Sequence, residues 1–165
     1  MYTPVIVLRA TSKCNMNCSY CYDRGKKLSK QGSDDEFKKQ IDNMIENIRR
    51  LSAIGGNTRK VKLIIHGGEP LLIKSITYEE FLFKLNLLNN CTVSIQTNGT
   101  LLNKEYIKVF EKYNVSVGVS LDGYNEKTNC CRIYRNGKTT FNDVLSNLKM
   151  LKNSTINYSV IFTVN

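Results

Sequence analysis

The stretch VKLIIHGGEP at residues 61–70 joins a run of large apolar side chains to two glycines, a glutamate and a proline. Such a run predicts a β-strand, and the glycines predict that the strand ends just before them. Comparable short runs lie at Val5–Leu8, Thr92–Ile95, Val115–Val119 and Tyr158–Val164. The chain is therefore expected to contain five strands.

The segments between these strands have the apolar spacing of amphipathic helices. The first begins with a capping-box arrangement at Ser33–Glu36 and ends at Gly55-Gly56. The second opens in the same way at Thr77–Glu80, the third starts after Asn103, and the fourth after Thr140. The predicted order is β-α-β-α-β-α-β-α-β.

Strands that alternate with helices predict an α/β fold, with a parallel sheet, right-handed crossovers and helices outside. Ligands of such folds bind at the carboxyl ends of the strands. The unusual motifs of this chain follow four strands in turn: Cys14–Cys21, Gly67–Pro70, Asn98-Gly99 and Asp122-Gly123. We therefore expect one functional site at that edge of the sheet.

Length and composition describe one domain. The chain has 165 residues, of which 41% are hydrophobic, enough for a packed core. This excludes a disordered tail and a disulfide-stapled miniprotein. No apolar run reaches the roughly 20 residues of a membrane-spanning helix, and the N-terminus has no export signal. We expect a cytoplasmic protein without a membrane partner.

The formal net charge is +10, from 24 Lys and Arg against 14 Asp and Glu. The basic residues are scattered, with no run of five, which argues against a dedicated nucleic-acid-binding protein. A basic surface also favours an acidic partner. Representative positions are Lys26, Lys27, Lys38, Lys39, Arg49, Arg50, Lys60 and Lys62.

Three of the six cysteines, Cys14, Cys18 and Cys21, lie within eight residues. In a reducing compartment such clustering indicates thiolates for a metal or for redox chemistry. A four-iron cluster held by three cysteines keeps one iron open for a small molecule, whereas structural zinc takes four protein ligands. His66 or a later cysteine could complete a zinc site, so spacing alone leaves both metals open.

The spacing CxxxCxxC, with Tyr20 before the last cysteine, resembles the cluster motif of the radical S-adenosylmethionine (radical SAM) superfamily. HGGEPLL at 66–72, QTNGTLL at 96–102 and SLDG at 120–123 resemble its motifs after the second, third and fourth strands. The resemblance covers residues 4–164. It implies a partial (βα)6 TIM-like barrel.

This chain would hold five strands and four helices of that barrel, and it stops directly after the fifth strand. We expect residues 1–165 to be the N-terminal part of a radical SAM core domain, without the sixth strand or a C-terminal SPASM domain. Such a piece is expected to be poorly stable or inactive on its natural substrate.

The run RIYRNGKTTF at 132–141 is similar to the stretch after the fourth strand in anaerobic sulfatase maturases and related peptide-modifying enzymes with SPASM domains. Many of those relatives carry His-Asp-Arg just before the arginine that matches Arg132. This chain has Thr128-Asn129-Cys130 instead. The resemblance therefore indicates this peptide-modifying branch of the superfamily but no particular substrate.

The resemblance implies that Cys14, Cys18 and Cys21 hold a four-iron four-sulfur cluster whose open iron binds S-adenosylmethionine. Reduction of that cluster would cleave the cofactor to methionine and a 5′-deoxyadenosyl radical, which abstracts a hydrogen atom from a peptide or protein side chain. The implied electron donor is a flavodoxin or ferredoxin. No catalytic side chain is predicted.

The resemblance also implies which residues contact S-adenosylmethionine. Gly67, Gly68 and Glu69 would receive its methionyl amine, and Tyr20 would border its adenine. Asn98 would lie at the rim of the pocket, while Ser120 and Asp122 would contact the carboxylate or ribose. Without the cysteines, ordinary turns would explain the glycine, asparagine and aspartate motifs.

Two other classes remain as alternatives to an active enzyme. A non-catalytic zinc- or nucleic-acid-binding module would explain the cysteines and the basic charge, but not the motifs at successive strand ends. A degenerate radical SAM fragment would keep the cluster and lose turnover, although all three cysteines and Glu69 are present.

Overall fold

The computed structural model describes residues 3–23, 34–54 and 60–163. They form five strands, four α-helices and a short 3-10 turn at Pro70–Leu72. The strands are β1 (Val5–Thr11), β2 (Val61–Gly67), β3 (Cys91–Thr97), β4 (Ser116–Ser120) and β5 (Tyr158–Ile161). The helices are α1 (Asp34–Ala53), α2 (Ser75–Asn86), α3 (Lys104–Lys112) and α4 (Phe141–Lys152).

All five strands are parallel and lie in the order β1-β2-β3-β4-β5. Neighbouring strands in the chain are thus neighbours in the sheet, as right-handed strand-helix-strand crossovers produce. The predicted α/β class and element order are confirmed. Parallel pairing brings the ends of β1–β4, and hence the four motifs, to one edge.

One face of the sheet packs against the helices and forms the core. Alternate residues of the three middle strands are buried there: Leu63 and Ile65 in β2, Ile95 in β3, and Val117 and Val119 in β4. Tyr78 and Phe81 of α2 and Phe110 of α3 cover them. The intervening residues of β2, β3 and β4 point to the opposite face of the sheet, the concave face.

Helix α2 begins at Ser75, two residues before the predicted capping box at Thr77. Thr77 is buried, and the N-cap residue Lys74 makes no side-chain capping bond. Instead, the backbone amide of Lys74 donates to the Asp34 carboxylate at 2.8 Å. Contact with α1 therefore fixes the start of α2, which a local pattern does not reveal.

The predicted starts of α3 and α4 agree with the structure. Asn103 caps α3 by accepting hydrogen bonds from the amides of Glu105 and Tyr106, and α4 begins directly after Thr140. The predicted boundary residues Ser33, Gly55-Gly56 and Val164 lie outside the described residues. Strand β5 ends at Ile161 rather than extending through Thr163.

None of the described helices combines the length and the apolar character that a membrane-spanning helix requires.

Candidate functional site

The predicted site residues meet at the carboxyl ends of β1–β4. The Cys14 sulfur lies 3.8 Å from the side-chain nitrogen of Asn98, which follows β3. The Tyr20 hydroxyl donates to the carboxylate of Asp122, which follows β4. The cysteine loop, residues 12–22, thus spans the edge of the sheet from β1 to β4.

The glycine pair after β2 holds the start of the cysteine loop. The amide of Gly68 donates to the Thr11 carbonyl at 2.8 Å, and the amide of Glu69 donates to the Lys13 carbonyl at 2.8 Å. A Cβ atom on Gly67 would lie 2.3 Å from the Thr11 oxygen, and one on Gly68 would lie 2.1 Å from the Lys13 oxygen. The close approach that these glycines permit is to the chain's own backbone.

The three loop cysteines present free, half-buried thiols. The Cys14 sulfur accepts from the Met16 amide at 3.4 Å as well as from Asn98. Burial raises the pKa of Cys14, and burial also raises the pKa of Cys18, where the nearby Arg132 cation has the opposite effect. N–H donors and a cation favour the thiolate, the form that binds iron.

The donor set fits a polynuclear centre. Three thiols stand on one short loop, and each iron of a four-iron cluster takes a separate cysteine. Among residues 3–23, 34–54 and 60–163, no three His, Cys, Asp or Glu side chains are placed to bind one metal ion together. Ligands of a cluster need not meet at one point, since each binds a different iron.

Glu69 is fully buried, and its carboxylate joins the ends of β2 and β3. One oxygen accepts from the Leu71 amide at 2.9 Å and from the Thr97 hydroxyl at 2.6 Å. The other accepts from the Asn98 amide at 2.7 Å. Burial raises the pKa of Glu69, and these three donors act in the opposite direction.

Asn98 links the cysteine loop to β3 with both ends of its amide. Its nitrogen donates to the Asn15 side chain at 2.9 Å and approaches the Cys14 sulfur. Its oxygen accepts from the amide and hydroxyl of Thr100, at 3.0 and 2.7 Å. Asn15 in turn donates to the Thr100 hydroxyl at 2.8 Å. This closed network fixes the first cysteine of the loop.

Tyr20 connects the far end of the loop to a buried ion pair. Arg132 donates to the Tyr20 hydroxyl at 2.6 Å, and its guanidinium lies 6.0 Å from the centre of the tyrosine ring. A guanidinium nitrogen of Arg132 lies 3.7 Å from a carboxylate oxygen of Asp122, and the two side chains are only 11% and 4% exposed. Burial, with the hydrogen bond to Asp122, raises the pKa of Tyr20.

The concave face beside this edge carries polar side chains in register. Arg9 pairs with His66, and Gln96 pairs with Gly118 on β4. A Cβ atom on Gly118 would lie 2.1 Å from the Gln96 side-chain oxygen. That oxygen is buried and has no hydrogen-bond partner in the part of the chain that the structure describes. Ser120 ends β4 and faces the same side.

Residues 8–165 match the family model of the radical SAM superfamily. The chain belongs to the radical SAM superfamily. The match includes the cysteine loop and all four strand-end motifs, so the resemblance seen in the sequence is confirmed.

Curated radical SAM relatives include sulfatase-maturating enzymes. The chain is 33% identical to the cysteine-type anaerobic sulfatase-maturating enzyme of Clostridium novyi (strain NT), over 98% of this chain and 43% of the relative. It is 31% identical to the serine-type enzyme of Bacteroides thetaiotaomicron (strain VPI-5482), over 98% and 39%. The chain thus spans less than half the length of these two relatives.

A solved structure, native anSMEcpe with bound AdoMet and Cp18Cys peptide, shares the fold with a TM-score of 0.78. The sequence identity is 21%, and the match covers 98% of this chain and 43% of that one. The predicted partial barrel is thereby confirmed.

The structure brings together Cys14, Glu69 and Asn98 in one group and Tyr20 and Asp122 in a second. The contacts proposed for these residues with S-adenosylmethionine stay predictions. For Glu69, the structure adds that three donors of the chain already occupy its carboxylate.

Sequence reasoning gave no role to Arg132 and Gln96. Arg132 is the first residue of the motif at 132–141. Its contact with Tyr20 joins residues 112 positions apart, which a local pattern does not predict. Gln96 precedes Thr97-Asn98 in a strand, and the alternation of strand residues was the signal that could have placed it on the concave face.

Proposed function

We propose that this chain supplies the cluster- and S-adenosylmethionine-binding part of a radical SAM enzyme that acts on a peptide or protein side chain. The observation that carries the proposal is the attachment of the cysteine loop to β2, β3 and β4. Gly68 and Glu69 bind the start of the loop, and Asn98 and Asp122 bind it further along. The family match supports an enzyme over a zinc- or nucleic-acid-binding module.

The side chains that would hold the cluster are Cys14, Cys18 and Cys21. When bound and reduced, the cluster supplies the electron that cleaves S-adenosylmethionine to methionine and a 5′-deoxyadenosyl radical. The chain's own contribution is to hold the cluster cysteines in position. Its amides and Asn98 fix Cys14, and Arg132 places positive charge beside Cys18.

The charged end of S-adenosylmethionine would be bound by Tyr20 and Asp122 together with their neighbours Arg132 and Ser120. Arg132 offers a buried cation for its carboxylate, while Asp122 and Ser120 supply acceptors at the end of β4. Tyr20 holds Arg132 and Asp122 in place, and its ring would border the adenine. The backbone of Gly67 and Gly68 would border the methionyl amine. The Glu69 carboxylate stabilises the turn after these glycines by accepting a hydrogen bond from the Leu71 amide.

The concave face would receive the substrate. Ile65 and Ile95 pair across β2 and β3, and His66 and Gln96 follow them directly, next to the strand ends where the cofactor would lie. A peptide would bring amide donors and carbonyl acceptors to the polar side chains of this face. The structure of anSMEcpe with AdoMet and a peptide supports a peptide substrate, as do the sulfatase-maturating relatives.

Electron transfer requires a partner, and we propose a reduced flavodoxin or ferredoxin. The net charge of +10 favours an acidic protein of this kind. Free thiols need a reducing compartment, so we place the reaction in the cytoplasm.

The test of the radical SAM assignment is product formation. The chain is reconstituted anaerobically with iron and sulfide, reduced with dithionite and mixed with S-adenosylmethionine, and 5′-deoxyadenosine and methionine are measured by mass spectrometry. We expect both products in equal amounts, loss of both in Cys14→Ala, and retention in Cys91→Ala, whose thiol lies outside the loop. Zinc binding with no product above the Cys14→Ala level would overturn the assignment.

The substrate class has a separate test. Peptides that carry deuterium on the β-carbon of Cys or Ser are added to the same reaction. Transfer of deuterium into 5′-deoxyadenosine is expected if a peptide side chain loses a hydrogen atom to the cofactor fragment. Transfer from a control peptide labelled at another residue, with none from the Cys or Ser peptides, would contradict a Cys or Ser substrate while leaving the radical SAM assignment intact.

A further inference from the structure

A second segment of the chain binds the cysteine loop through backbone hydrogen bonds. This clasp segment, residues 131–135, runs antiparallel to residues 16–19. The amide of Asn17 donates to the Ile133 carbonyl at 2.9 Å, and the amide of Ser19 donates to the Cys131 carbonyl at 3.0 Å. The middle of the loop therefore has a fixed neighbour besides the sheet edge.

The clasp segment is itself anchored. The Thr140 hydroxyl donates to the Arg132 carbonyl at 2.8 Å, and the Tyr134 hydroxyl donates to the Asp143 carboxylate at 2.7 Å. The amide of Tyr134 also donates to the Lys138 carbonyl at 2.9 Å, which closes a turn. These bonds fix the segment to the start of α4.

Arg135 extends from the clasp segment to the first cluster cysteine. Its Nε atom donates to the Cys14 carbonyl at 2.9 Å, although 121 residues separate the two in the chain. The contact puts a permanent positive charge on the backbone of a cysteine that the proposed function assigns to the cluster.

We infer that Arg135 is a positioning residue that sets the reduction potential of the cluster. Reduction adds one negative charge to the cluster, and a nearby cation stabilises the reduced form more than the oxidised form. The hydrogen bond to the Cys14 carbonyl holds this cation in place. The inference rests on the proposed function, since it concerns the cluster that this function requires.

The test is an EPR-monitored redox titration of the reconstituted chain. Arg135→Gln keeps a hydrogen-bond donor but removes the charge, and Arg135→Lys keeps the charge. Lys138→Gln is the matched control, because it removes an exposed cation from the same turn. Iron and sulfide per chain are measured for every variant.

With Arg135→Gln, we expect the ratio of reduced to oxidised cluster at a fixed potential to fall three- to tenfold. A tenfold change corresponds to about 59 mV for a one-electron couple. Arg135→Lys should stay within twofold of the unmodified chain, and so should Lys138→Gln. Because Arg135 is exposed, the effect should shrink in 1 M salt.

Three outcomes would overturn the inference. One is an unchanged ratio in Arg135→Gln with full iron content. Another is an equal shift in Lys138→Gln, which would indicate a general charge effect. A third is loss of iron without a change in potential, which would make Arg135 only structural. A complete lack of cluster in the unmodified chain would instead contradict the proposed function, and the inference with it.

Discussion

The carboxylate of Glu69 accepts a hydrogen bond from the backbone amide of Asn98 at 2.7 Å, which ties the end of β2 to the end of β3. Both residues also meet the cysteine loop, Glu69 through its own amide and Asn98 through its side chain. The pair therefore links the cysteine loop to the ends of β2 and β3. The contribution of this pair to the free energy of unfolding can be measured without any cofactor.

Glu69→Gln should lower the free energy of unfolding by about 1–3 kcal/mol. The new amide nitrogen would face the N–H of Asn98, so that a buried donor would meet a donor. Urea denaturation followed by circular dichroism measures the change. Glu126→Gln, at an exposed position, is the control and should cost less than about 0.5 kcal/mol. Equal stabilities for both variants would contradict the role of Glu69.

The stability difference between the unmodified chain and Glu69→Gln should depend on pH. Burial raises the pKa of Glu69 above its usual 4.5, so the folded chain holds this proton at a pH where the unfolded chain has released it. The contribution of Glu69 is therefore fully present below pH 4.5 and falls as the pH rises towards the folded pKa. Denaturation of both chains from pH 4 to pH 8 checks the sign. A difference that grows with pH would mean a lowered pKa.

Gly68→Ala should displace the cysteine loop. The added Cβ would lie 2.1 Å from the Lys13 carbonyl oxygen, and backbone cannot move aside cheaply. We expect iron per chain after reconstitution to fall by more than half.

The matched control for this change is Gly137→Ala. Gly137 has φ +83° and nothing within 4 Å of an added Cβ, so the variant carries only the cost of that conformation, about 1 kcal/mol. It should retain full iron content. Equal iron content in the two variants would show that the Gly68 contact does not position the loop.

Tyr20→Phe should weaken S-adenosylmethionine binding about three- to tenfold without reducing iron content. The change removes the hydroxyl that joins Arg132 to Asp122, so both charged groups lose a buried partner. Isothermal titration of the reconstituted chain measures the dissociation constant. Tyr124→Phe, 84% exposed, is the control and should bind as the unmodified chain does. Unchanged affinity in Tyr20→Phe would remove this residue from the proposed site.

Local patterns were enough to predict the strands, the order of the elements and the edge where the motifs meet. Each rests on the spacing of apolar residues and on glycines that lie within a few positions of a strand end. The cysteine motif was equally local, since its three thiols lie within eight residues.

What the sequence did not reveal depends on contacts between distant segments. The start of α2 is fixed by the Asp34 carboxylate, 40 residues from Lys74. The burial of Glu69 requires β3 to lie beside β2, and the positions of Arg132 and Arg135 require the clasp segment to return to the loop. No periodic pattern encodes such long-range pairs.

The most direct test of the central claim is EPR spectroscopy of the anaerobically reconstituted, dithionite-reduced chain, before and after addition of S-adenosylmethionine. We predict the signal of a reduced four-iron cluster that changes shape when S-adenosylmethionine is added and is absent in Cys14→Ala. A cluster signal that S-adenosylmethionine leaves unchanged, or zinc in place of iron, would contradict the account.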